Sequence, residues 1–127
     1  MSHTEELDKW FSLFIRLSRA DYRGYVLCYT CSARLPFQEM DCGHFNSRGI
    51  LITRFEEDNC RPQCRDCNRL REGKMKVFED ELREELGDER VDELIAMRPR
   101  QAHYDTEWYV GKVIHYKKLV NNLISAI

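Results

Sequence analysis

The sequence predicts an α+β chain in which a compact, cysteine-bearing β region lies between an N-terminal helix and several C-terminal helices. Three observations lead there. Apolar residues recur at helical spacing near both ends of the chain. Residues 21–45 instead mix β-branched and aromatic residues with glycine, proline and short alternations, the pattern of strands and turns. Two Cys-x-x-Cys pairs, Cys28/Cys31 and Cys64/Cys67, bracket the middle of the chain.

Taken in order, Leu7, Trp10, Phe11, Phe14, Ile15 and Leu17 line one side of an amphipathic helix over residues 5–20. "NSRGILITRFEEDN", residues 46–59, reads as a loop with a brief apolar strand. Helix signals return at Arg65 and break at Gly73. Val77, Phe78, Leu82 and Leu86 share a face of the next helix, and Gly87 is a C-terminal stop. "DERVDELIAM" forms a shorter helix ended by Pro99. The last helix opens with Thr106 as N-cap and carries a stripe of Val110, Val113, Ile114, Val120, Leu123 and Ile124, with Trp108, Tyr109 and Tyr116 expected in the core. The organisation expected is residues 1–76 as helix plus cysteine core, and 77–127 as a helical extension that packs on it or mediates dimerisation.

With 127 residues, 43% hydrophobic and 33% charged, the composition is that of an ordinary globular domain. No apolar run approaches the roughly 20 residues that span a bilayer. "MSHTEELDKWF" has no basic region followed by an apolar stretch, so a cytoplasmic protein is expected, with no membrane partner. The net charge of −2 conceals a division. Residues 16–76 hold 12 Lys+Arg against 8 Asp+Glu, a net of +4, whereas 77–98 hold 3 against 9, a net of −6. A basic, arginine-rich middle precedes acidic helices, which suit packing or dimerisation better than nucleic-acid contact.

Six cysteines in a cytoplasmic chain point to metal more than to disulfides. Zn²⁺ takes four thiolates in a tetrahedron, and a Cys-x-x-Cys turn supplies two of them. Cys28 and Cys31 would form a knuckle between strands, while Cys64 and Cys67 would enter from the start of a helix. A structural zinc site on these four is expected. Cys42 and Cys60 have no Cys-x-x-Cys partner and are expected to be small buried residues.

Between the pairs lie His44 and Asn59, and Asn68 directly follows the second pair. The order Cys-x-x-Cys, an Asp/His hairpin, Asn, then Cys-x-x-Cys followed at once by His or Asn resembles the HNH (His-Me finger, ββα-metal) nucleases. The Cys-x-x-Cys-Asn ending is similar to the phage endonuclease VII variant. Four longer stretches, "LDKWFSLFIRLSRAD", "GYVLCYTCSARLPFQEMDCGHFNSRG", "RFEEDNCRPQCRDCNR" and "GDERVDEL", resemble the phage lambda Rap (NinG) recombination protein family over roughly residues 7–95.

The resemblance implies a small zinc-stabilised ββα-metal, treble-clef-like core and a structure-specific endonuclease for branched DNA such as D-loops and Holliday junctions. His44 would be the general base, because a largely neutral imidazole can take a proton from water at pH 7. Asn59 would fix the loop. Asn68 would offer its amide oxygen to one catalytic Mg²⁺ or Mn²⁺. HNH sequences usually place the carboxylate ligand immediately before the histidine, and here Gly43 stands there. Asp41 and Glu72 are the candidates to replace it: strand alternation puts Asp41 on the face opposite His44 unless a bulge intervenes, and Glu72 falls one helical turn after Asn68.

Arg48, Arg54, Arg61, Arg65, Arg69 and Arg71 crowd the same region, as expected of a DNA-contacting face; a solvated surface paired with Glu56, Glu57 and Asp58 is the alternative, and proximity to the expected site favours phosphate contact. Two coordinated cuts would call for a homodimer. Two other functions fit the sequence: an HNH nuclease without branch preference, and a non-catalytic zinc module that binds DNA or protein.

Overall fold

The computed structural model describes residues Met1–Ile127. Helix α1, His3–Leu17, starts where the Ser2 hydroxyl accepts the Glu5 amide at 3.1 Å, and buries Leu7, Phe11, Ile15 and Leu17. Strands β1 (Tyr25–Leu27) and β2 (Arg34–Pro36) form an antiparallel hairpin with Cys28 and Cys31 in its connection. The connection is closed by the Cys28 N–H to Ala33 carbonyl bond at 2.8 Å, with Ser32 at φ 63°.

A second hairpin pairs β3 (Met40–His44) with β4 (Cys60–Cys64), antiparallel, from Met40↔Cys64 to His44↔Cys60. The pairing is one-to-one, so there is no bulge at Gly43. The two hairpins meet where the Tyr29 N–H donates to the Pro62 carbonyl at 2.9 Å.

The chain between β3 and β4 holds α2, Leu51–Arg54, and not the expected strand. Four apolar or β-branched residues in a row suit either state; the buried Thr53 and the Asn59 bond to its carbonyl decide for a helical turn. After β4 a single wide turn covers Asp66–Leu70, closed by the Arg71 N–H reaching the Asp66 carbonyl at 3.1 Å. The helix ends there, at φ 53° for Glu72 and 79° for Gly73. Glu72 therefore does not continue the Asn68 face, contrary to what the helical spacing predicts.

Helix α3, Met75–Leu86, buries Phe78 and Leu82 but leaves Val77 exposed, and Gly87 at φ 87° ends it. Helix α4 (Asp88–Ala96) buries Val91 and Leu94. Helix α5, Thr106–Ser125, is capped by Asp105, whose carboxylate accepts the Trp108 N–H at 2.8 Å; Thr106 is its first helical residue and not the cap.

The apolar interior is split into three clusters. Leu7, Phe11, Ile15, Cys60 and Tyr116 join α1, α5 and β4. Val26, Cys28, Met40, Cys64 and Cys67 surround the thiols, and Phe45, Phe78, Leu82 and Val91 tie α3 and α4 to the end of β3. Tyr116 stands edge-on to Phe11 at 5.1 Å and donates its hydroxyl to Glu57 at 2.8 Å. The expected stripe on α5 is only partly internal: Val120 is buried, while Val110, Ile114 and Ile124 face solvent. Val113 of that stripe packs inward with Trp108, Tyr109 and Tyr116, as expected, and Leu119 joins them. No helix is long and apolar enough to cross a membrane.

Candidate functional site

The ligand atoms of Cys28, Cys31, Cys64 and Cys67 lie within 4.8 Å of one another, and the Cys31 and Cys64 sulfurs are 3.7 Å apart. A tetrahedron of sulfurs each about 2.3 Å from zinc has edges of about 3.8 Å, so this cluster could hold that ion. Its chemistry supports the fit. Burial pushes the Cys64 thiol up to about 12, reinforced by its bonds to the other thiols. Burial opposes ionisation of Cys28 as well, but there bonds from the Cys64 and Thr30 amides and the Thr30 hydroxyl prevail and bring it down to about 6. Four packed thiolates need a cation, and a metal would supply it. The Cys67 N–H already points at the Cys64 sulfur, at 3.4 Å.

The cluster pins the end of β3–β4 to the turn carrying Asn68. Asn68 donates its side-chain amide to Asp41 at 3.0 Å. Arg69 grips the same carboxylate in a fork at 2.8 and 2.9 Å. Burial raises the Asp41 pKa, but these donors outweigh it and hold the carboxyl below its ordinary value, so it is ionised. With its NH₂ turned to Asp41, Asn68 has its amide oxygen directed elsewhere.

Along β3, His44 directs Nε2 at the Arg54 carbonyl, 3.0 Å away. A carbonyl only accepts, so a neutral ring making this bond carries its proton on Nε2 and keeps the lone pair on Nδ1; the Cys42 backbone also interacts with the ring. Burial keeps the imidazole pKa below its ordinary value. Two adjoining cavities, of about 600 and 880 Å³, share Cys42, His44, Arg48 and Asn68 in their walls. Asp41 borders the first and Glu72 the second. Asp41 and His44 both border the first cavity, which lies between β3 and α1, without a bulge in the strand.

Asn59 is fully buried away from the groove. Its side-chain oxygen accepts the Asn46 N–H at 2.7 Å, and its NH₂ donates to the carbonyls of Asn46 and Thr53 at 3.2 and 3.1 Å. It thus clips both ends of the loop between the strands and places Arg54 under His44.

The arginines separate into different roles. Arg48, Arg65, Arg69 and Arg71 are exposed. Arg54 is held by Asp8, at 3.0 and 2.5 Å. Arg61 is 4% exposed and bound to Glu85 at 3.0 and 3.2 Å, so it leaves the set of DNA-contacting candidates. Glu56 and Asp58 pair with Arg90, not with the groove arginines.

Several site residues went unnoticed in the sequence. Asp8 from α1 anchors Arg48 and Arg54, and nothing local marks it. Gln63 lies under the hairpin, fully buried, donating to Thr30 at 3.0 Å and to the Gly73 carbonyl at 2.8 Å. Cys42 and His44, two apart on a strand, share a face in any register, but only the pairing brings Cys60 to them.

Fold and groove define a small α+β protein with a four-cysteine cluster that could hold zinc, beside a cleft of His, Asn, Asp and Arg. The chain belongs to the family described as Bacteriophage Lambda NinG protein, whose family model matches residues 1–125. No curated protein and no solved structure matches it.

Proposed function

We propose that this chain is a metal-dependent endonuclease that cuts branched DNA recombination intermediates, with an HNH-type core. The observation that carries the proposal is that His44 and Asn68 stand together in the shared wall of two cavities, with the ionised Asp41 bonded to Asn68. Membership of the lambda NinG family supports a role in phage recombination.

In this reading Nδ1 of His44 takes a proton from water as the water oxygen forms its bond to phosphorus. The bond from phosphorus to the 3′ oxygen breaks, leaving a 5′-phosphate and a 3′-hydroxyl protonated by solvent. Asn68 and a carboxylate, Asp41 or Glu72, are an oxygen donor set suited to Mg²⁺ or Mn²⁺. Such an ion supplies Lewis-acid stabilisation of charge on the phosphate and leaving oxygen. Arg69 must release Asp41 for that carboxylate to serve, and the freed guanidinium then faces DNA phosphate. Exposed Arg48, Arg65 and Arg71 supply further phosphate contacts. Two coordinated cuts require two sites, so the active form is a homodimer.

The test supplies purified, zinc-loaded protein and Mg²⁺ or Mn²⁺ to labelled four-way junction, D-loop and linear duplex. Cleavage of the branched substrates, abolished by His44→Ala with zinc content intact, is expected. Equal rates on duplex and junction would leave a general nuclease, and no metal-dependent cleavage at all would leave a binding module.

A further inference from the structure

A second group of metal-binding side chains lies outside the four-cysteine cluster. The ligand atoms of Cys42, His44 and Cys60 lie within 4.8 Å of one another. The hairpin register puts them there: His44 is directly opposite Cys60, and Cys42 is two residues back on the same strand face. From this geometry we infer that Cys42, His44 and Cys60 form a second metal site for a thiophilic divalent cation such as Zn²⁺, and that filling it silences His44.

Three features support the site. With metal bonds of about 2.3 Å to sulfur and 2.0–2.1 Å to nitrogen, tetrahedral donors stand about 3.5–3.8 Å apart, so atoms within 4.8 Å of one another need draw in by roughly 1.0–1.3 Å at most. The Arg54 carbonyl accepts from His44 Nε2 at 3.0 Å and also faces the Cys60 sulfur at 3.7 Å. A backbone carbonyl on one ring nitrogen is the usual companion of a histidine that binds metal through the other, so Nδ1 is the donor here. Cys42 and His44 also border the cavity of about 600 Å³, which leaves a fourth position for water.

The donor set selects the ion. Two thiolates and an imidazole suit Zn²⁺, Co²⁺ or Cd²⁺ and not the hard Mg²⁺ that the oxygen donors at Asp41 and Asn68 suit. Two thiolates also neutralise the dication, so a half-buried site carries no net charge. A metal on Nδ1 occupies the lone pair assigned above to the attacking water. That inhibitory consequence rests on the proposed nuclease reading, whereas the site itself does not.

The full-length protein, kept reduced and saturated with Cd²⁺, is examined by cadmium NMR. Wild type gives two resonances, one from four sulfurs and one upfield from two sulfurs and a nitrogen. Cys42→Ala and Cys60→Ser each keep the first resonance, which reports an intact fold, and lose the second. A single resonance in saturated wild type, or a second one surviving both substitutions, overturns the site. In Mg²⁺-supported cleavage, a slight excess of Zn²⁺ slows wild type at least about tenfold and leaves Cys42→Ala unaffected. Equal inhibition of both overturns the inhibitory role. Absence of cleavage altogether removes the nuclease reading, while the cadmium spectrum still decides the site.

Discussion

Gln63 lies across the face of Gly43, where a β-carbon would stand 2.7 Å from its Cδ and 2.8 Å from its Cγ. Gln63 cannot swing away freely, because Thr30 and the Gly73 carbonyl hold its amide. The glycine before His44 is thus a packing requirement: the space a carboxylate would need at position 43 is filled from the opposite strand.

Gly43→Ala should therefore destabilise the fold by about 1–3 kcal/mol through overpacking, and Gly43→Asp by more. Urea unfolding measures it. Gln63→Ala should relieve most of the Gly43→Ala penalty in the double variant, and simple additivity of the two losses would argue against the contact.

Asn59→Ala removes three hydrogen bonds and leaves the Asn46 N–H and the Asn46 carbonyl without this partner, while the Thr53 carbonyl still accepts the Glu56 N–H at 3.2 Å. A loss of about 2–4 kcal/mol is expected, at about 1–3 kcal/mol per orphaned group with partial relaxation. Faster hydrogen exchange confined to residues 46–59 would locate the damage. An unchanged exchange pattern would remove the loop-clipping role.

Arg61 and Glu85 set an acid limit on stability. Burial works against the Glu85 charge, but Arg61, Tyr29 and Arg19 outweigh it and lower the carboxyl from 4.5 to about 2. The unfolded chain binds that proton first, so the stabilisation is complete above about pH 4.5 and is lost as pH falls towards 2. Glu85→Gln should flatten the stability slope across that window. Arg61→Ala should cost about 2 kcal/mol at neutral pH, less than the ~3–5 of a fully buried pair because Glu85 is 36% exposed.

If the four-cysteine cluster holds the zinc it could accommodate, withdrawal of that metal should unfold the hairpin pair, since structural zinc contributes on the order of 10 kcal/mol. A strong chelator, followed by circular dichroism with a zinc indicator, tests it, with Cys64→Ser as the matched variant. Release of zinc with no change in the thermal midpoint would show that the cluster is not structural.

Features set by neighbours in the chain were legible before any fold was known. The Cys-x-x-Cys pairs announce their cluster because one tight turn brings two sulfurs together. Helices α1, α3 and α4 announce themselves by apolar spacing, and Gly87 marks a stop by its freedom at positive φ. The boundary at Asp105 was missed by a single residue, because Asp105 and Thr106 are both good caps and only the bond to Trp108 chooses.

Features set by distant parts of the chain required the tertiary structure. The basic run looked like one surface, yet Arg61 is internal because the acidic α3 supplies Glu85 beneath it. Glu72 looked like a continuation of the Asn68 face until the chain turned to positive φ one residue after Arg71. Residues at one spacing on a strand share a face by local geometry alone, so the pairing of Cys42 with His44 was determined by sequence. Cys60 joins them only through the cross-strand register, and Asp8 and Gln63 join the site only through packing. Register and packing depend on the summed free energy of the whole chain, and no short stretch of sequence contains it.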